Sequence, residues 1–146
     1  MWPVQKARTF VILLCMDAQH TKHVTYKQAY HFVWCPKYRK KILVGKLATF
    51  IEQEIGRICE ANIWTIGALN VQEDHVHLFV SSPPNVSPSQ IAHALKGVTA
   101  LKVFQHLPEV KKHVWGGAFW SRSYHVGSVG DMRVETVLKY IESGQD

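Results

Sequence analysis

Hydrophobic residues recur along this chain in two rhythms, every second position in short runs and every third or fourth in longer ones. Ala29 to Cys35 is aromatic and β-branched, and reads as a first strand. Leu47, Phe50, Ile51, Ile55, Ile58 and Cys59 then fall at helical spacing, which predicts an amphipathic helix over Lys46 to Ala61. Ile63 to Val71 reads as a second strand. His75 to Ser81 is a third, reached by a short polar turn and ended by Pro83-Pro84-Asn85. Ser87-Pro88-Ser89-Gln90 is a capping box with proline at the first helical position. The helix it opens carries Ile91, Ala94, Leu95, Val98 and Leu101 on one face and should stop before Pro108. Phe119 to Val126, set off by Gly116-Gly117 and Gly127, reads as a fourth strand. Asp131 is placed to cap a last helix with the stripe Val134, Val137, Leu138 and Ile141.

The order β-α-β-β-α-β-α predicts an α+β fold. Its first six elements make a ferredoxin-like (RRM-like) antiparallel βαββαβ sheet with two helices on one face, and a C-terminal helix is added. The other sheet face is left without helices from the two crossovers, and the last helix is expected there. At 146 residues the chain fits one domain. Residues 26–146 form that domain. Residues 1–25 read as an accessory extension, as strand or disorder. Within it the longest apolar run, Phe10 to Met16, has seven residues, where a membrane span needs about 20. Lys6 and Arg8 precede this run, but Asp17 follows at once and no small-residue cleavage site is present, so a signal peptide is disfavoured.

Charge adds a partner. Lys and Arg number 17 against 11 Asp and Glu, a formal net charge of +6 with pI near 9.3, which favours polyanions and nucleic acid first. Cys15, Cys35 and Cys59 are odd in number and form no Cys-x-x-Cys pair, the pattern of reduced thiols in a cytoplasm. A basic stretch, Lys37-Tyr38-Arg39-Lys40-Lys41, follows the first strand. Lys37, Arg39, Lys40 and Lys41 are candidate phosphate contacts; a solvated turn is the alternative. Tyr38 and Trp34 are candidates to stack on bases, Trp34 equally for the core.

The candidate chemistry centres on Glu73-Asp74-His75-Val76-His77-Leu78-Phe79-Val80. Side chains alternate faces along a strand, so His75 and His77 point one way and Val76, Leu78 and Val80 the other. Two neighbouring imidazoles are suited to one divalent metal ion. Alone, the pair favours ordinary strand histidines on a half-exposed face; the metal reading rests on what accompanies it. Tyr140 sits beside Lys139 at the margin of the last helix's apolar stripe, a common place for a packing tyrosine. Together with a basic surface, these residues suggest phosphodiester chemistry. Metal charge on a phosphate oxygen would assist attack by a phenol whose ordinary pKa is about 10. No Walker-type phosphate loop exists, in keeping with chemistry that needs no nucleotide cofactor.

Three stretches, in this order and spacing, carry a family resemblance. They are Tyr30-His31-Phe32-Val33-Trp34-Cys35-Pro36-Lys37-Tyr38-Arg39, the two-histidine run, and Val126-Gly127-Ser128-Val129-Gly130 followed by Val134-Glu135-Thr136-Val137 and Tyr140-Ile141-Glu142. Leu95-Lys96-Gly97 adds to them. The chain resembles the single-tyrosine HUH transposases of bacterial and archaeal insertion sequences, the TnpA type and its REP-associated relatives. The resemblance implies metal ligands His75 and His77, nucleophile Tyr140, and magnesium or manganese as cofactor. It further implies single-stranded DNA with subterminal hairpins as substrate, a 5′-phosphotyrosine intermediate, and a homodimer with active sites shared between subunits. The family's third ligand is a glutamine four residues after the tyrosine, whereas Gln145 lies five residues after Tyr140. In an unbroken helix that places it about 140° around from Tyr140. Gly144 offers a helix-ending left-handed turn that would bring Gln145 back, and water or Asp146 is the alternative ligand. A non-catalytic ferredoxin-like nucleic-acid-binding module and a domesticated palindrome-processing relative are the competing readings. An HUH replication initiator or relaxase is disfavoured by length.

Overall fold

The computed structural model describes residues 9–10, 19–20, 25–26, 29–114 and 117–129. The elements in chain order are β1 (Thr9–Phe10), β2 (Gln19–His20), β3 (Thr25–Tyr26), β4 (Ala29–Trp34), α1 (Gly45–Ala61), β5 (Thr65–Val71), β6 (Val76–Ser81), α2 (Pro88–His106) and β7 (His125–Val129). Single 3-10 turns span Lys37–Arg39 and Pro108–His113. The expected last helix, with Tyr140 and Gln145, lies outside the described residues.

The sheet runs β1-β5-β6-β4-β7 with every neighbour antiparallel. Strands β4, β5, β6 and β7 reproduce the ferredoxin-like order in which the first and third strands are central. The extension contributes β1, whose Thr9 and Phe10 pair with Asn70 and Leu69 at the outer edge of β5. β2 and β3 pair antiparallel as a separate two-stranded sheet.

One sheet face and the two helices make the core. Phe32 and Trp34 of β4, Leu69 and Val71 of β5, and Val76, Leu78 and Val80 of β6 pack with Leu47, Ile51, Ile55 and Ile58 of α1 and with Ile91, Leu95 and Val103 of α2. Each such side chain, fully buried, stabilises the fold by about 1.5–3 kcal/mol relative to exposure. A register shift between Ile66 and Ala68 explains how Ile66 and Leu69 both reach that core despite their odd spacing.

Two expectations are corrected. The fourth strand starts at His125 rather than Phe119. Phe119 and Trp120 are core residues, stacked edge to face at 4.6 Å, and their segment is tied to the end of β4. Lys37 N donates to the Phe119 carbonyl at 2.9 Å and Ser121 N to the Cys35 carbonyl at 2.9 Å, so the backbone bonds of this stretch are used before β7 begins. On α2, the buried face is Ile91, Ala92, Leu95, Thr99 and Val103, while Val98 and Leu101 are exposed. The polar Thr99 displaces them. Its hydroxyl donates to the Leu95 carbonyl at 2.6 Å and accepts from the buried Trp120 indole at 2.8 Å. A pattern of hydrophobicity alone scores threonine on the wet side and so rotates the helix.

Thr99→Val keeps the side-chain shape and leaves the Trp120 N–H without its partner. The expected loss is about 1–3 kcal/mol of unfolding free energy, measured by urea denaturation; an unchanged midpoint would show that the indole finds another acceptor.

Candidate active site

Pairing of β4 with β6 sets Val33 opposite His77, Phe32 opposite Leu78 and His31 opposite Phe79. Because faces alternate, Leu78 and Phe32 enter the core while His77, Phe79, His31 and Val33 share the second face. Continuing outward, β7 brings His125 opposite Val33 on that face. His75 precedes β6 by one residue, in a turn anchored by Gln72 N to the His75 carbonyl at 2.8 Å and by Leu43 N to the Glu73 carbonyl at 2.9 Å.

The expected histidine pair is brought together. Its rings lie edge to face, 4.8 Å between centroids. An outward-facing site was expected, yet His75 is 5% and His77 4% exposed. Each imidazole is held through Nδ1. His75 Nδ1–H donates to Asp74 Oδ1 at 2.6 Å, and His77 Nδ1 lies 3.0 Å from His31 Nε2. Both Nε2 atoms are buried with no hydrogen-bond partner among the described residues. Orphaned buried ring nitrogens are costly unless something binds them. A ligand histidine is ordinarily fixed through its other nitrogen, so this arrangement fits a cation held by His75 Nε2 and His77 Nε2. Among the described residues no third His, Cys, Asp or Glu completes a set of three. Gln145, the expected third ligand, lies outside them.

Burial keeps the two bonded rings, His77 and His31, neutral. Burial, then the nearby His75 and His31, push His77 down to about 4. Burial and His125 push His31 to about 4 as well. Burial acts to raise the Asp74 carboxyl, but hydrogen bonds and charge from His75 and Arg39 outweigh it and hold Asp74 below the ordinary carboxylate range.

Arg39 pairs with Asp74 at 3.2 Å and so braces the residue that braces His75. Tyr38 and Arg39 both take left-handed backbone (φ 62° and 52°) to make this reach. Such non-glycine conformations cost about 1–3 kcal/mol each and cluster at working sites. Of the other basic residues, Lys41 lies 3.8 Å from Glu73, Lys37 sits over the exposed Tyr38 ring, and Lys40 Nζ donates to the His113 carbonyl at 2.9 Å. That last bond joins the basic turn to Lys111 and Lys112, exposed residues of the Pro108–His113 turn that the sequence reading passed over. Trp34 is buried in the core, which leaves Tyr38 as the exposed aromatic of this turn.

An open cavity of about 310 Å³ adjoins His75, lined by Arg39, Trp34, Cys35, Tyr124 and His125 among others. Its outer wall is fixed by Lys96 of α2, whose ammonium donates to the carbonyls of Arg122 at 3.0 Å and Ser123 at 3.3 Å and lies over the Tyr124 ring. Asp74, His31 and Lys96 therefore all serve the site, although each lies inside a stretch whose chemistry seemed to belong to its neighbours.

The family model described as "Transposase IS200 like" matches residues 24–144. The chain belongs to this family. It is 33% identical over 135 residues to the ISDra2 transposase TnpA of Deinococcus radiodurans, covering 92% of this chain and 96% of that protein. The transposase for insertion sequence element IS200 of Salmonella typhimurium is 28% identical over 114 residues, covering 78% of this chain and 75% of the relative. Among solved structures, a Deinococcus radiodurans protein described as a candidate transposase superposes with TM-score 0.71 at 32% identity, over 85% of this chain and 95% of the other. A REP-associated tyrosine transposase bound to a REP hairpin shares the fold, with TM-score 0.56 at 14% identity over 85% of this chain and 68% of the other.

Burial of neutral His31 and His77 has a pH signature. Their folded pKa values lie below the ordinary 6.5. The unfolded chain thus binds protons first on acidification, and stability present above pH 6.5 is lost as pH falls towards 4. The melting temperature of the metal-free protein should drop across that window, and the His31 and His77 ring resonances should stay fixed down to pH 5. Titration of either ring near 6.5 would contradict their burial.

Proposed function

We propose that this chain is a metal-dependent DNA transposase that cuts and rejoins single-stranded DNA at insertion-sequence ends, with Tyr140 as nucleophile. One observation carries the reading: two buried imidazoles, each engaged at Nδ1, each leaving Nε2 unpartnered among the described residues. Membership of the IS200-like transposase family supplies the reaction class. Residues 26–146 are the catalytic domain in this reading, with residues 1–25 an extension that feeds β1 to the sheet edge.

His75 and His77, with Gln145, would hold magnesium or manganese. Bound there, such an ion would supply positive charge to the reacting phosphate. Tyr140 then attacks phosphorus. A bond forms between the phenol oxygen and the phosphate, the P–O3′ bond breaks, and the departing oxygen takes a proton to become a 3′ hydroxyl. The phenol proton passes to solvent. The product keeps a phosphodiester-level bond to tyrosine, so a 3′ hydroxyl can reverse the step without ATP.

Lys37, Arg39, Lys40 and Lys41 are assigned to the phosphate backbone. Arg39 has a double duty there, since it also braces Asp74. Lys111 and Lys112 extend the same basic surface through the Lys40 to His113 bond. Hairpin DNA is the proposed partner, in line with the REP hairpin held by one fold neighbour. A homodimer with active sites shared between subunits is the proposed assembly, and the cytoplasm, where the DNA lies, the proposed compartment.

With labelled single-stranded hairpin DNA and manganese, mass spectrometry should find a covalent adduct on Tyr140. Tyr140→Phe should abolish the adduct while hairpin binding survives, and His75→Ala or EDTA should abolish metal-dependent cleavage. An adduct in the Phe variant would remove the tyrosine from the chemistry. Hairpin affinity should also fall steeply with salt. Neutralising Lys111 and Lys112 to Gln should weaken binding to every sequence and lower the log–log salt slope by about 2. An unaltered slope would take those lysines off the DNA surface.

A further inference from the structure

The placement of His31 beside His77 is closely specified. Its neighbours in β4, Tyr30 and Phe32, pair with Val80 and Leu78 of β6, which sets the residue directly across from Phe79 and diagonal to His77. Its ring lies parallel to Phe79, 4.3 Å between centroids and 9° between planes. It is also parallel to His77, at 5.2 Å and 8°. Stacked on Phe79 and bonded in its own plane to His77, the ring has little rotational freedom. Its Nε2 is left 3.0 Å from His77 Nδ1.

A neutral imidazole carries its proton on one nitrogen, and the hydrogen bond made by the other decides which. If His77 Nδ1 keeps the proton, Nε2 has a free lone pair. If Nε2 keeps it, that atom is a buried donor facing no acceptor among the described residues, and the cation loses a ligand. We propose that His31 is a positioning residue that accepts the His77 Nδ1–H at its own Nε2, and so sets His77 Nε2 as an electron-pair donor for a divalent cation. This rests on the reading of His75 and His77 as metal ligands. Asp74 does the corresponding work for His75, but with a carboxylate. The two ligands thus differ in kind. The His75 ring is polarised by a neighbouring anion, whereas His77 is oriented by a neutral ring and the stack behind it.

The test uses the full chain, metal-free and with manganese alone, and two substitutions. His31→Phe keeps a ring against Phe79 and removes the acceptor. His31→Gln removes the ring and restores an acceptor oxygen. In nitrogen-15 spectra of the metal-free wild type, His77 should show a protonated Nδ1 and an unprotonated Nε2. In His31→Phe, the proton should move to Nε2, and manganese affinity, read from the free-ion electron paramagnetic resonance signal, should fall about 10- to 100-fold. His31→Gln should restore the wild-type tautomer and most of the affinity. A wild-type His77 protonated at Nε2 overturns the proposal, as does a His31→Phe protein with unchanged tautomer and unchanged affinity. Wild-type protein that binds no manganese, while its His77 carries the proton on Nδ1, sinks the metal reading and leaves the tautomer assignment standing.

Discussion

The antiparallel pairing of β4 with β6 is the constraint on which the site depends. Val76, Leu78 and Val80 are sealed against the helices beside Phe32 and Trp34, and strand alternation then leaves His77 no choice of face. Slipping the register by one residue would send His77 into the apolar core and Leu78 out of it. The energy of core burial therefore fixes the face on which the imidazole lies. The same pairing delivers His31 to the diagonal position from which it reaches His77.

Around the two histidines the chain builds support outward in layers. Asp74 holds His75, and Arg39 holds Asp74 from a turn whose left-handed residues would not persist without surrounding bonds. Those bonds are present: Arg39 N to the Pro36 carbonyl at 2.8 Å and Lys37 N to the Phe119 carbonyl at 2.9 Å. Phe119 and Trp120 are in turn locked to α2 through Thr99. A helix, a loop and a strained turn thus converge on a carboxylate at the margin of the site. Lys96 adds a second tie from α2, fixing the wall of the cavity beside His75.

Burial gives the histidines their chemical character. In water an imidazole is partly protonated near neutral pH; here desolvation keeps His77 and His31 neutral well below it. A neutral ring with one nitrogen already engaged suits the ligand role proposed for His77, because no proton must leave before a metal binds. Exposure would have given the pair less definition. The site therefore gains from being less open than its strand pattern suggested.

Local pattern was enough for much of this protein. The order of elements from β4 to β7, the helix limits near Gly45 and Ala61, the Ser87 capping box and the meeting of His75 and His77 all follow from spacing and turn chemistry, which act over a few residues. So did the basic turn at Lys37 to Lys41. Other features depended on partners distant in sequence. The burial of the histidine pair, the His31 to His77 bond across 46 residues, and the diversion of Arg39 to Asp74 are products of strand register and loop packing. The true face of α2 belongs with them, since a single buried hydroxyl at Thr99, needed by Trp120, outweighed the apolar count. Periodicity records which side of an element is oily. Only the packed sheet decides which polar groups meet there, because a hydrogen bond requires two partners within about 3 Å.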